Sequence, residues 1–180
     1  MKAFIFLAEG FEEIEAVGTI DILRRGEVEV TTVSVTNDRL VSGAHQIAVE
    51  ADQLFADTDF SDGQMLILPG GMPGARHLNE HEGLKQLLKQ YAGEGKKIAA
   101  ICAAPLVLGG MHLLHGKRAT VYPGYENTLH HATVVPEAVV KDGNIITGKG
   151  PGYVFDFALA LVAELQGQAK ANEVKKGMFP

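Results

Sequence analysis

The chain contains one cysteine, Cys102, and the residues around it are those a nucleophile needs. It stands in the run Ile98-Ala99-Ala100-Ile101-Cys102-Ala103-Ala104-Pro105, where a short apolar strand pattern stops and a helical pattern starts. Small residues two before and two after the cysteine reproduce the spacing of the nucleophile elbow, G-x-S-x-G, with alanine for glycine and cysteine for serine. Such a turn holds the nucleophile in strained backbone, and bulky neighbours would clash. Pro105 suits a first helical turn, where its missing N–H is not needed. The free amides at the start of that helix are expected to lower the thiol pKa. The competing reading is an inert buried cysteine, common for free thiols; the elbow context favours the reactive one.

Two further segments supply groups of matching chemistry. Leu68-Pro69-Gly70-Gly71-Met72-Pro73-Gly74 ends a strand in adjacent glycines, which let backbone N–H groups face a ligand with no Cβ in the way. The N–H groups of Gly71 and Ala103 together form a candidate oxyanion hole, with Gly70 in the pocket wall. In Glu9-Gly10-Phe11-Glu12-Glu13-Ile14-Glu15 acids crowd the first turn of a helix, where the dipole favours them. That is explanation enough for Glu12 and Glu13. Glu15 is placed to point inward, towards the strand ends. A carboxyl buried beside a thiolate resists ionisation, through desolvation and like-charge repulsion. Glu15 is therefore expected to be protonated, donating a hydrogen bond to the sulfur or acting as general acid/base.

The elements that must hold these residues alternate along the chain. Strand patterns are read at 3–8, 28–35, 65–68, 97–101, 119–122 and 144–147. An edge hairpin with a short strand near Ile47–Glu50 is expected between 40 and 60. Helices are read at 12–25, closed by Gly26, and at 80–92, 103–114, 152–166 and 168–176. Along the first, Ile14, Val17, Ile20 or Asp21, and Leu23 are spaced on one side; in the helix at 152–166, Val154, Phe157, Ala158, Leu161, Val162 and Leu165 read as core. Strands alternating with helices imply an α/β fold, a mostly parallel central sheet with helices on both faces. Ligands bind such sheets beyond the carboxyl ends of the strands, which is where Glu15, Gly70-Gly71 and Cys102 fall.

Composition narrows the function classes. The 180 residues, 46% apolar and 21% charged, suit a single folded domain over 1–180. The net charge of −6 comes without a basic stripe, so nucleic-acid binding is not suggested. No apolar run approaches a membrane span, the N-terminal run is too short for a signal peptide, and the single cysteine fits a reducing cytoplasm. The seven histidines offer no ligand set of standard spacing, so neither metal nor cofactor is expected. His112 and His115 suit a helix C-terminus, and the adjacent His130 and His131 would face different ways on a helix. His45 can reach the pocket from the edge hairpin or from a partner subunit, although a surface position is the plainer reading. Gly148-Lys149-Gly150-Pro151-Gly152 lacks the spacing of a nucleotide-binding loop and reads as a turn into the last long helix.

Taken together, Glu-Glu-Ile-Glu-Ala-Val, Leu-Pro-Gly-Gly, Ala-Ala-Ile-Cys-Ala-Ala-Pro and Gly-Lys-Gly-Pro-Gly resemble the ThiJ/PfpI superfamily. The nearest branch is that of the parkinsonism-associated protein deglycase and its bacterial relatives. The resemblance runs in order over nearly the whole chain. It implies a flavodoxin-like three-layer sandwich and a homodimer burying part of the first helix. It also implies an oxidation-prone nucleophile at Cys102, a glutamic acid partner at Glu15, and backbone donors at Gly71 and Ala103. Two departures stand out. The peptidase branch follows its cysteine with histidine, and here that residue is Ala103. The human-type branch has a histidine before the proline of the next strand, and here the pair is Tyr122-Pro123. Tyrosine is a poorer base than histidine near neutrality, so base work falls to Glu15 or water.

Three readings of function follow. The first is a cysteine-dependent glyoxalase or deglycase acting on 2-oxoaldehydes such as methylglyoxal, or on their adducts. The second is a redox sensor or chaperone, in which Cys102 oxidises to a sulfinate with no second thiol to resolve it. The third, a cysteine hydrolase, peptidase or amidotransferase subunit, needs a histidine near the sulfur that no motif supplies.

Overall fold

The computed structural model describes residues 1–179. In chain order the elements are β1 (Lys2–Leu7), α1 (Glu13–Arg25), β2 (Glu29–Ser34), β3 (Leu40–Ser42), β4 (Ala48–Glu50), β5 (Gln53–Leu54), β6 (Met65–Leu68), α2 (Gly74–Glu80) and α3 (Glu82–Gly93). They continue with β7 (Lys97–Ile101), α4 (Pro105–Gly110), β8 (Arg118–Ala119), β9 (Thr133–Val134), β10 (Val139–Asp142), β11 (Ile145–Gly148), α5 (Val154–Gln166) and α6 (Gln168–Met178).

The main sheet runs β10-β11-β7-β6-β1-β2-β5. All its neighbours pair in parallel except β10 with β11. Its central strands are apolar on both faces, as a sheet covered on both sides requires. Ala3, Ile5, Met65, Ile67, Ala99 and Ile101 enter one core with the inner faces of α1, α5 and α6. Phe4, Phe6, Leu66, Leu68, Ile98 and Ala100 enter the other, with α3 and α4. The expected three-layer α/β sandwich is the observed one. The expected core of the long C-terminal helix is observed as well: Val154, Phe157, Ala158, Leu161, Val162 and Leu165 are its buried residues.

The chain runs from β1 outward to β2, then returns to the other side of β1 as β6 and goes on to β7. This reversal is the switch point at which open α/β sheets form a crevice, and Glu15, Gly70 and Cys102 follow the three strands around it.

Several boundaries differ from the sequence reading. The helix expected at 103–114 is only Pro105–Gly110, because Gly109-Gly110 end it and the chain continues in turns. The helix read at 80–92 is α3, capped by the His81 ring, whose Nδ1 accepts the Leu84 N–H at 2.9 Å. The preceding α2 spans seven residues, too few to carry a clear helical periodicity. The strand expected at 119–122 is the two-residue β8, which pairs with β9 outside the main sheet. Beyond it the Thr120 amide bonds the Thr147 hydroxyl at 2.9 Å rather than a backbone carbonyl. The edge hairpin exists as β3–β4. On α1 the buried face is Glu15, Ala16, Thr19, Ile20, Ile22 and Leu23. Ile14 and Val17, expected on the same side as Leu23, are 58% and 45% exposed.

Candidate active site

Cys102 follows β7 directly and has φ +63°, the left-handed region that side chains rarely adopt. The turn is fixed on both sides of it: the Cys102 amide bonds the Gly148 carbonyl at 2.9 Å, and the Cys102 carbonyl accepts the Tyr122 N–H at 2.9 Å. The conformation expected of a nucleophile elbow is therefore present, with the residue 8% exposed. The backbone amides of Gly71 and Ala103 lie beside the sulfur and favour its charged form. These are the same two amides that the sequence names as a candidate oxyanion hole. The accompanying helix contributes less than expected, since α4 spans six residues and aligned peptide dipoles sum with length.

Glu15 reaches the same place from α1. Its helix starts at an acidic cap, where Glu12 Oε2 accepts the Glu15 N–H at 2.7 Å. The Glu12 amide bonds the Gly70 carbonyl at 2.9 Å, and Glu15 Oε2 accepts the Gly70 N–H at 2.7 Å. Gly70 thus joins the helix to the end of β6 through both of its backbone polar groups. No other residue fits, since a Cβ there would stand 2.7 Å from both Cys102 Cβ and Glu15 Oε2. Gly71 has φ +88°, and a Cβ there would collide with the Glu12 amide and the Gly10 carbonyl.

The Glu15 side chain is fully buried. One carboxyl oxygen has the Gly70 partner, while Oε1 finds no fixed hydrogen-bond partner and the neighbouring group is the Cys102 thiol. Burial pushes the Glu15 carboxyl up to about 7, against the downward pull of the thiol and the Gly70 amide. Burial also pushes the Cys102 thiol up, and the Glu15 charge adds to this, while the Gly71 and Ala103 amides pull it down. The two groups cannot both be anionic in this space. Glu15, at about 7, gives up its proton before the thiol, which is pushed up to about 12. The lowered thiol pKa and the thiolate beside a protonated Glu15 that the sequence suggested are overturned by burial.

Tyr122 borders the site through its backbone. Its ring is 44% exposed and lies over Gly150, where a Cβ would come within 3.1 Å of it. It forms one wall of a groove of about 320 Å³ lined by Pro123, Lys149, Gly150, Pro151 and Tyr153. His45 departs from the pocket reading. Glu13 captures it: the Glu13 carboxylate accepts the His45 amide at 2.6 Å and lies 2.8 Å from its ring Nδ1, and the His45 side chain is 70% exposed. The groups acting on the sulfur are Glu15, Gly71 and Ala103, with no histidine among them.

The sequence reading assigned no task to Glu12 or Glu13 beyond the dipole. Glu12 positions Glu15, and its signal was present as an acid three residues before another at a helix start. Glu13 anchors the β3–β4 hairpin, a long-range task without a local signal. Donor atoms of Glu12, Glu13 and His45 lie within 4.8 Å of one another, but both Glu13 oxygens are already engaged by the hairpin.

A model of the DJ-1/PfpI family matches residues 1–164. The DJ-1 homolog B of Arabidopsis thaliana is 42% identical over 96% of this chain, which spans 40% of that protein's length. The solved structure of oxidised Toxoplasma gondii DJ-1 superposes with a TM-score of 0.95 at 34% identity, covering 99% of this chain and 97% of that one. A deglycase of Pyrococcus abyssi is 31% identical over 86% of this chain and 93% of its own length.

Proposed function

The chain belongs to the DJ-1/PfpI family, and on that premise we propose that it is a Cys102-dependent glyoxalase or deglycase acting on 2-oxoaldehydes or their adducts, with a protective role in carbonyl or oxidative stress. The observation that carries the reading is the buried Glu15 carboxyl, free at Oε1, beside a thiol that two backbone amides address. A proton carrier, a nucleophile and a donor pair are what isomerisation of an oxoaldehyde needs, without metal or cofactor. Its kinship with a protein named as a deglycase supports the same reading.

The steps balance as follows for methylglyoxal. The Cys102 sulfur bonds to the aldehyde carbon, and the thiol proton passes to the aldehyde oxygen to give a hemithioacetal. The Gly71 and Ala103 amides stabilise that oxygen as charge develops on it. The Glu15 carboxylate takes the hydrogen of the former aldehyde carbon as a proton and returns it to the neighbouring ketone carbon, while the hemithioacetal hydroxyl proton passes to the ketone oxygen through the enediol. The first carbon is thereby oxidised to a thioester and the second reduced to an alcohol. Water cleaves the thioester, releasing lactate and the free thiol. With a hemiaminal adduct the sulfur bonds to the same carbon as its C–N bond breaks, and the thiol proton leaves on the freed amine, giving the same hemithioacetal.

The test is methylglyoxal turnover, reading aldehyde loss and lactate gain together. Wild type is expected to form lactate steadily and Cys102→Ala to form none. Lactate formation unchanged in Cys102→Ala would sink the enzyme reading. Aldehyde loss without lactate would mean that Cys102 traps the aldehyde without turning it over, and would favour the second reading, a redox sensor. The absence of any second cysteine supports that one, since nothing within the chain resolves a sulfenic acid, and the related Toxoplasma protein is described in an oxidised form. A histidine-assisted hydrolase ranks third.

We further propose a homodimer in a reducing, cytoplasmic compartment. The exposed Ile14 and Val17 of α1, with Ile47 on the hairpin that Glu13 holds against α1, make a face suited to a second copy. Sedimentation of Val17→Asp is expected to give a monomer where wild type gives a dimer.

A further inference from the structure

The fold gathers four of the seven histidines at the end of α4 remote from Cys102. His112 and His115 lie in the turns after α4, and His130 and His131 in the loop before β9. The ring centroids of His115 and His131 are 5.3 Å apart. His112 lies 6.2 Å from His131 and 6.1 Å from His130. His131 is the shared member, reached from two positions on the other segment. All four residues are exposed.

These distances suit one cation. With metal–nitrogen bonds of about 2.1 Å, imidazole centroids stand about 3.2 Å from the metal, and two such rings at a tetrahedral angle are about 5.3 Å apart. The His115–His131 pair has that spacing as it stands. His112 stands 6.2 Å from His131 and joins the pair by a change of side-chain rotamer, which an exposed ring makes readily.

The backbone beneath the rings is fixed. The Gly116 amide bonds the His131 carbonyl at 2.9 Å and the Thr133 amide bonds the Lys117 carbonyl at 2.8 Å, so the two segments are stitched together just ahead of the β8–β9 ladder. Leu114 and Leu129 anchor them in the core. A pair held in this way has already met the entropy of bringing two distant segments together, which is the main cost of assembling a site from flexible loops.

We propose that His115 and His131, with His112 as third ligand, bind a divalent transition-metal cation of the class that prefers imidazole nitrogen, such as Zn²⁺, Ni²⁺ or Cu²⁺. Water fills the remaining positions. The site is separate from Cys102 and involves no redox step.

The test titrates Zn²⁺ into the full chain after chelator treatment, with Cys102 replaced by serine so that the thiol cannot ligate. Calorimetry is expected to show one saturable equivalent. The double variant His115→Ala/His131→Asn is expected to bind at least tenfold more weakly, asparagine being chosen because position 131 has φ +61°, which it tolerates. Paramagnetic Ni²⁺ added to the protein with its histidines intact is expected to broaden the ring signals of His112, His115 and His131 ahead of those of His45, His77 and His81. That readout does not depend on the variant folding. Unchanged Zn²⁺ affinity in a folded double variant overturns the proposal. So does broadening centred on His45, which would move the cation to the Glu12–Glu13 group.

Discussion

Glu13 and Glu15 stand two residues apart in the first turn of one helix, both largely buried, and the structure drives them in opposite directions. Burial pushes both carboxyls up. At Glu13 this is outweighed by the His45 ring and by the backbone amides of His45 and Ile47, so its pKa falls below the usual carboxylate range. At Glu15 burial wins, because the only fixed donor is the Gly70 amide and its other neighbour is a thiol. One side of the helix start faces a hairpin that brings backbone donors and the His45 ring; the other faces a closed crevice between strand ends. Sequence position makes the two residues near equivalents, and the surroundings favour the charged form of one and the neutral form of the other.

The sharpest way to break this contrast is to neutralise each acid in turn. Glu15→Gln keeps the shape and an acceptor for the Gly70 amide but removes the proton carrier. Lactate formation is expected to fall by about 10²–10⁴-fold, the range for loss of a general acid/base. Glu13→Gln is expected to leave turnover within a few-fold. Equal losses in both variants would mean that the helix start acts as one unit and the contrast is false.

A second effect appears in the pH dependence of stability. The folded chain holds a proton on Glu15 up to about 7, against 4.5 for an ordinary glutamate. Across that window the folded state binds more protons than the unfolded one, so the contribution of Glu15 is full below 4.5 and drains as pH rises through 7. Denaturant titrations are expected to show wild type losing roughly 3 kcal/mol relative to Glu15→Gln over that range. Glu13 has the opposite sign: its stabilisation is present above the ordinary 4.5 and is lost as pH falls through its lowered folded value. His45, raised by Glu13, contributes below its ordinary 6.5 and loses that as pH rises through its folded value. The Glu13–His45 contact is therefore at full strength between 4.5 and 6.5, while the Glu15 contribution drains.

Smaller effects refine the picture. Gly70→Ala forces a methyl against Cys102 and the Ile101 carbonyl and is expected to cost about 1–3 kcal/mol, with turnover falling alongside. Glu13→Gln is expected to cost about 1–2 kcal/mol in thermal or denaturant unfolding, because the amide oxygen still accepts the hairpin N–H groups. His45→Ala is the smallest: the ring is exposed, and the expected result is a slight loss of stability at pH 6 with no change in turnover.

Much of the site was legible in the sequence because its signals are local. The Cys102 turn, the paired glycines and the acids of the first helical turn each lie within a few residues, and their physical requirements show in residue type. The histidines were not legible in the same way. Spacing along the chain separates His115 from His131, and only the stitching ahead of the β8–β9 ladder brings their rings to 5.3 Å. The exposure of Ile14 and Val17 was hidden for a related reason. The apolar pattern marks them as inward, yet the buried face of α1 is the one bearing Ala16, Thr19 and Leu23.

The sequence by itself determined the layered α/β order, the strands apolar on both faces, the strained position of the cysteine and the two backbone donors. These follow from periodicity, residue size and the needs of a single turn. Tertiary structure alone decided which acid favours its charged form and which its neutral form, where His45 goes, how short α4 is and which histidines meet. Those outcomes depend on distances between segments far apart in the chain, and on the desolvation and hydrogen bonding that arise only when such segments close on one another.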